Sequence, residues 1–104
     1  MSVRHSARAA FVIFLGILSA DSLAQDANAA RNLAATCFTC HGTNGVSVNN
    51  VPPSLAGLSK DYLLMQLRDF RDGKRAATVM HQQAKGYTDA QFELIAGYFA
   101  AQKR

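Results

Sequence analysis

The chain has 104 residues and a formal net charge of +4. That length allows one small domain. The modest charge, with no long block of one sign, excludes the basic tail of a nucleic-acid binder, so no nucleic acid is expected among its partners.

Residues 1–24 read as a cleaved secretory signal peptide. Arg4 and Arg8 give a basic start, residues 9–18 an apolar run, and Ser22-Leu23-Ala24 small side chains suited to cleavage after Ala24. The apolar run falls short of the roughly twenty residues of a membrane span, so no stable membrane insertion is expected after cleavage. No cysteine follows Ala24 to take a lipid, and there is no adjacent arginine pair of the twin-arginine type. The remaining domain, residues 25–104, would be exported to the periplasm. A domain that small buries little apolar surface and generally needs a staple.

Residues 26–39 predict a first helix, with Asp26 as N-cap and Ala27, Ala29, Ala30, Leu33, Ala34 and Ala35 as strong helix formers. Its end carries Cys37-Phe38-Thr39-Cys40-His41, the c-type haem attachment pattern. Two thiols one helical turn apart can each add across one vinyl group at the same porphyrin edge. His41, next in line, is then the proximal iron ligand. A thioredoxin-like pair would need βαβ patterning that the chain lacks. A zinc site would need a second Cys-x-x-Cys or a paired histidine motif, and neither is present. A single covalent haem c would also be the staple.

Residues 42–59 are rich in Gly, Asn and Pro and predict a loop. A loop that long in a small domain has a job. The other ring nitrogen of His41 needs an acceptor to fix its tautomer, and a proline carbonyl serves well; Pro53 is favoured over Pro52. Residues 60–72 predict a second helix capped by Ser59 and stopped by Gly73, with Leu63, Leu67 and Phe70 in one stripe. Arg68, Arg71, Lys74 and Arg75 form a basic cluster, read as a solvated face, a docking patch, or, through Arg75, a haem propionate contact.

Residues 76–86 show no clear period. Thr88 with Gln91 makes a capping box for a last helix from Asp89 to about Gln102, striped by Phe92, Ile95 and Phe99. Gly97 is costly inside a helix, which suggests that it and Tyr98 cross the Ala30-Leu33-Ala34 face of the first helix. The sixth iron ligand has three candidates: Met80 and His81 in the irregular segment, and Met65 beside the second helix's stripe. Methionine ligation favours ferrous iron relative to a second histidine.

The stretches Cys37-Phe38-Thr39-Cys40-His41-Gly42, Pro53-Ser54-Leu55-Ala56-Gly57, Tyr62-Leu63 and Phe70-Arg71-Asp72-Gly73-Lys74-Arg75, with Met80 and the segment from Tyr87-Thr88-Asp89 to Tyr98-Phe99-Ala100, resemble the small bacterial class I cytochromes c. The resemblance implies an all-α fold of three to five short helices around one covalent haem c, with crossed terminal helices. It implies Met80 as distal ligand and Pro53 as acceptor from His41. The stretch from Arg75 to His81, followed by Ala84-Lys85-Gly86-Tyr87-Thr88-Asp89, is similar to the cytochrome subunits of flavocytochrome c sulfide dehydrogenases. That implies one-electron transfer from a sulfide-oxidising flavoprotein subunit. Some of those relatives have two haem domains, whereas this chain has one attachment motif. The alternatives are a freely diffusing carrier to a terminal oxidase or reductase and, in another class, a haem enzyme or gas sensor with an open distal site.

Overall fold

The computed structural model describes residues 18–104, which form four α-helices and two short 3-10 turns. The basic start of the expected leader and most of its apolar run lie outside the described residues. The helices are α1 (Leu18–His41), α2 (Lys60–Arg71), α3 (Met80–Lys85) and α4 (Asp89–Ala100). The described residues contain no strand and no helix long and apolar enough to cross a membrane.

Helix α1 does not begin at Asp26, as its capping chemistry suggested; it runs on from Leu18. Leu and Ala are good helix formers, and no Pro or Gly between residues 18 and 41 interrupts them. The cap is a local option that loses to continuation. Helix α2 has the expected start: the Ser59 hydroxyl accepts from the Tyr62 N–H at 3.2 Å. Helix α4 has a full capping box, with Thr88 Oγ1 accepting from Gln91 N–H at 3.2 Å and Gln91 Oε1 accepting from Thr88 N–H at 2.9 Å. The segment expected to be irregular contains α3, a helix of six residues. It is too short to show an apolar period, which is why sequence patterning misses it.

The core joins Ala34 of α1, Leu63 and Leu64 of α2, Ala84 of α3, and Phe92, Ile95, Ala96 and Phe99 of α4. The terminal helices pack on one another. At their contact Phe38, Tyr98 and Phe99 form a three-ring cluster with centroids 5.5–6.1 Å apart, the spacing of favourable edge-on and tilted pairs. Tyr98 thus meets α1 at Phe38. Gly97 does not serve that crossing: a Cβ there would find only the Lys60 Cε of α2, at 3.9 Å. The wholly buried small residues are Ala34 and Ala96.

Helices α2 and α4 are also joined by ions. Arg71 reaches Asp89 at 2.6 Å, Lys60 reaches Glu93 at 2.9 Å, and Arg68 reaches Glu93 at 3.6 Å. Two members of the supposed basic cluster, Arg68 and Arg71, are therefore paired with α4 rather than free for a partner. Only tertiary structure brings those carboxylates near. Arg71 holds the Asp89 carboxyl below the ordinary range, chiefly by the hydrogen bond between them.

Candidate haem site

Cys37, Cys40 and His41 occupy the last turn and a half of α1. Phe38, between the thiols, is packed against the core with its ring on Tyr98 and Phe99, so the attachment motif is pinned to α4 through its own variable position. Cys37 is half-buried and Cys40 exposed, and no disulfide joins them. Burial pushes the Cys37 thiol up, with a smaller push from Cys40 and a partial offset from Thr36. The Thr36 hydroxyl donates to the Leu33 carbonyl at 2.9 Å and accepts from the Tyr87 hydroxyl at 2.6 Å, which ties the segment after α3 to the residue next to Cys37.

His41 is buried, at 8% exposure, and its Nδ1 lies 2.7 Å from the carbonyl oxygen of Pro53. A carbonyl only accepts, so Nδ1 carries the proton and Nε2 is left with the lone pair. The loop that delivers Pro53 closes at two glycines. At Gly42, φ is +84° and a Cβ would sit 1.9 Å from the Val46 carbonyl oxygen. At Gly45, φ is +81° and a Cβ would sit 2.7 Å from Phe99 Cδ1. Only glycine fits either place. Asn44, between them, accepts from the Tyr98 hydroxyl at 2.5 Å. Its position among turn residues is visible in the sequence, but its partner on the last helix is not.

Met80 is the first residue of α3 and is half-buried; Met65 is half-exposed on α2. His81 has a buried Nδ1 with no hydrogen-bond partner. It lines an open depression of about 300 Å³ with Phe70, Arg71, Arg75 and Lys85. Arg75 is exposed; its guanidinium lies 4.7 Å from the centroid of the Phe70 ring and donates to Gln66 Oε1. The structure thus brings His41 to Pro53 and sets Arg75 and His81 on one open depression.

The donor set fits a covalently held haem. It offers a preoriented imidazole with its lone pair on Nε2, two thiols one helical turn apart, and a thioether at a helix start. Among the described residues no group of three or more His, Cys, Asp or Glu could hold a metal ion alone. A zinc site would want more protein ligands than these.

An all-helical domain with this attachment turn defines a c-type haem protein. The sequence model of the cytochrome c family matches residues 27–102, and the chain belongs to that family. Its cofactor is accordingly one covalent haem c. The cytochrome subunit of sulfide dehydrogenase of Chlorobaculum tepidum is 48% identical over 64% of this chain and 60% of that protein. Cytochrome c4 of Pseudomonas aeruginosa is 39% identical over 88% of this chain and 46% of its own length. Cytochrome c-554(548) of Halomonas halodenitrificans is 36% identical over 77% of this chain and its whole length. The chain thus spans about half to three-fifths of the first two relatives and all of the third.

Proposed function

We propose that the chain is an exported, periplasmic one-electron carrier in which Cys37 and Cys40 hold the haem as thioethers and His41 and Met80 bind its iron. The contact of His41 with Pro53 carries this reading. It leaves Nε2 basic and fixes the ring plane, which is the work of a proximal ligand's partner. When bound, the haem supplies the one-electron Fe(III)/Fe(II) couple. Cys37, Cys40, His41 and Met80 would hold it, beside the ring cluster of Phe38, Tyr98 and Phe99 that packs the attachment turn on α4. Arg75, exposed beside Phe70, would supply a contact to a propionate. Cleavage after Ala24 releases the domain, and mass spectrometry of secreted protein should give an N-terminus at Gln25.

The donor we favour is the flavoprotein subunit of a sulfide dehydrogenase, supported by the likeness to the Chlorobaculum tepidum subunit. Native purification from the source cell should co-isolate a flavoprotein, and sulfide should reduce the haem in that complex. A cytochrome isolated alone and reduced by a membrane complex would instead make it a freely diffusing carrier. The ligand set is tested by Met80→Ala. The ferric wild-type protein should show the sulfur-to-iron charge-transfer absorption in the red, and the dithionite-reduced ferrous protein should not bind carbon monoxide. The variant should lose the band and gain carbon monoxide binding. A band that survives the substitution would assign the ligand to Met65; a wild type that binds carbon monoxide would favour an open-site sensor or enzyme.

A further inference from the structure

We infer that the face formed by Val46, Val48, Val51, Pro52 and Pro53 docks an electron-transfer protein through an uncharged, apolar patch on that partner; the inference rests on the electron-carrier reading. Val46, Val48 and Val51 are 48%, 80% and 81% exposed, and both prolines are exposed beside them. Single exposed valines need no explanation, but five apolar residues on one short loop form a patch.

The patch is preformed. Ser47 N–H donates to Ser54 Oγ at 3.0 Å, and Ser54 N–H donates to Asn50 Oδ1 at 2.7 Å. The Gly45 carbonyl accepts from Leu55 and Ala56 at 2.7 and 3.1 Å. These bonds occupy the polar groups of the loop's inner side and leave its valines outside. Asn49 and Asn50 take left-handed backbone, a conformation asparagine tolerates, to make the turns between the valines. A loop already held in shape loses little entropy on docking.

Charge selects the partner. Between His41 and Lys60 the sequence has no Asp, Glu, Lys or Arg. The basic residues of α2 lie outside this stretch, and Arg68 and Arg71 are paired with α4. Arg104 is the charge held to the loop's base, through a 3.3 Å bond to the Ala56 carbonyl. A charged partner surface would lose hydration at the valines without gaining an opposite charge. Size selects as well. A few valines and prolines suit the small, transient contact of a redox encounter and fall short of a stable dimer. Position completes the case: Pro53, on the rim of the patch, is bonded directly to the His41 ring. A partner seated there lies one hydrogen bond from the proposed iron ligand.

The test uses mature holocytochrome on gold electrodes coated with methyl-, hydroxyl- or carboxylate-terminated alkanethiols, read by voltammetry. The protein should exchange electrons on the methyl surface, with a coverage that salt does not change. The double variant Val48→Asp/Val51→Asp should lose about tenfold or more of that coverage, as expected from giving up the burial of two valines. Its absorption spectrum and its reduction by dithionite should not change. Val48→Ser/Val51→Ser should lose coverage in the same direction. Unchanged coverage in both variants, or a salt-sensitive preference for the carboxylate surface, would overturn the inference. So would a holocytochrome dimer in sedimentation that the double variant breaks, because the face would then belong to a second copy. Absence of any reversible iron wave, with no reduction by dithionite, would instead overturn the electron-carrier reading.

Discussion

The proposed proximal and distal sides of the haem site are built by different means. On the proximal side, His41 is buried, ends a long helix, and is bonded to a loop that is itself bonded to α4 through Asn44 and Tyr98. On the distal side, Met80 opens a six-residue helix whose N-cap, Val79, offers no side-chain bond and is exposed. The chain thus fixes His41 by its own packing and hydrogen bonds and holds Met80, the proposed distal ligand, on a short element whose start has no side-chain cap. A ligand that is preoriented sets the haem's position; a ligand on a weakly held segment takes its place from the haem. The distal segment is accordingly where ligand exchange and redox-linked motion should be found.

The largest effect should come from Gly42→Ala. The left-handed backbone and the approach to the Val46 carbonyl together should cost roughly 4 kcal/mol of holocytochrome stability in urea unfolding, with the Pro53 loop displaced. Wild-type stability would mean that the proximal side is less fixed than described. Met80→Ala should behave oppositely: circular dichroism should keep its helical signal while the red charge-transfer band disappears. If helix content falls as far as in Gly42→Ala, the asymmetry between the sides is wrong. Tyr98→Phe keeps the ring cluster and removes the donor to Asn44, so it should cost about 1 kcal/mol. That loss should be accompanied by faster amide exchange around Asn44 and Gly45, with no change around α3.

The smallest effect should be at Asp89, outside both sides. Its carboxyl is held below the ordinary range when folded, so its contribution to stability is fully present above the unfolded carboxylate pKa. That contribution is lost as pH falls through the lower folded value. Asp89→Asn should therefore lower the urea midpoint slightly at neutral pH, and the difference should close on acidification. A gap that widens toward acid would reverse this sign.

What could be seen in the sequence followed the range of each interaction. The starts of α2 and α4 were legible because Ser59 and the Thr88–Gln91 pair act within one turn. The stripe Phe92, Ile95 and Phe99 was legible because helical period alone puts it on one side, and all three residues are buried. The attachment motif needed only covalent chemistry. Pairing His41 with Pro53 on paper needed only the demand of a ring nitrogen for a rigid acceptor nearby. Other features depend on how helices rotate against each other. Gly97 faces Lys60 instead of α1, and Arg68 and Arg71 find carboxylates on a helix some twenty residues away in sequence. Helix α3 falls below the length at which a pattern can be recognised. The start expected at Asp26 belongs to the chain cut after Ala24; in the full chain the helix runs through that point from Leu18.

The contact of Gly45 with Phe99 also bears on the order of assembly. The wall behind the attachment turn is supplied by the last helix of the chain, whereas the thiols lie near the beginning of the domain. In synthesis from the N-terminus, Cys37 and Cys40 emerge while their backing is still to come. Cys37, which packs against the core that the final helix completes, becomes half-buried only on that helix's arrival, whereas Cys40 stays exposed in the closed fold.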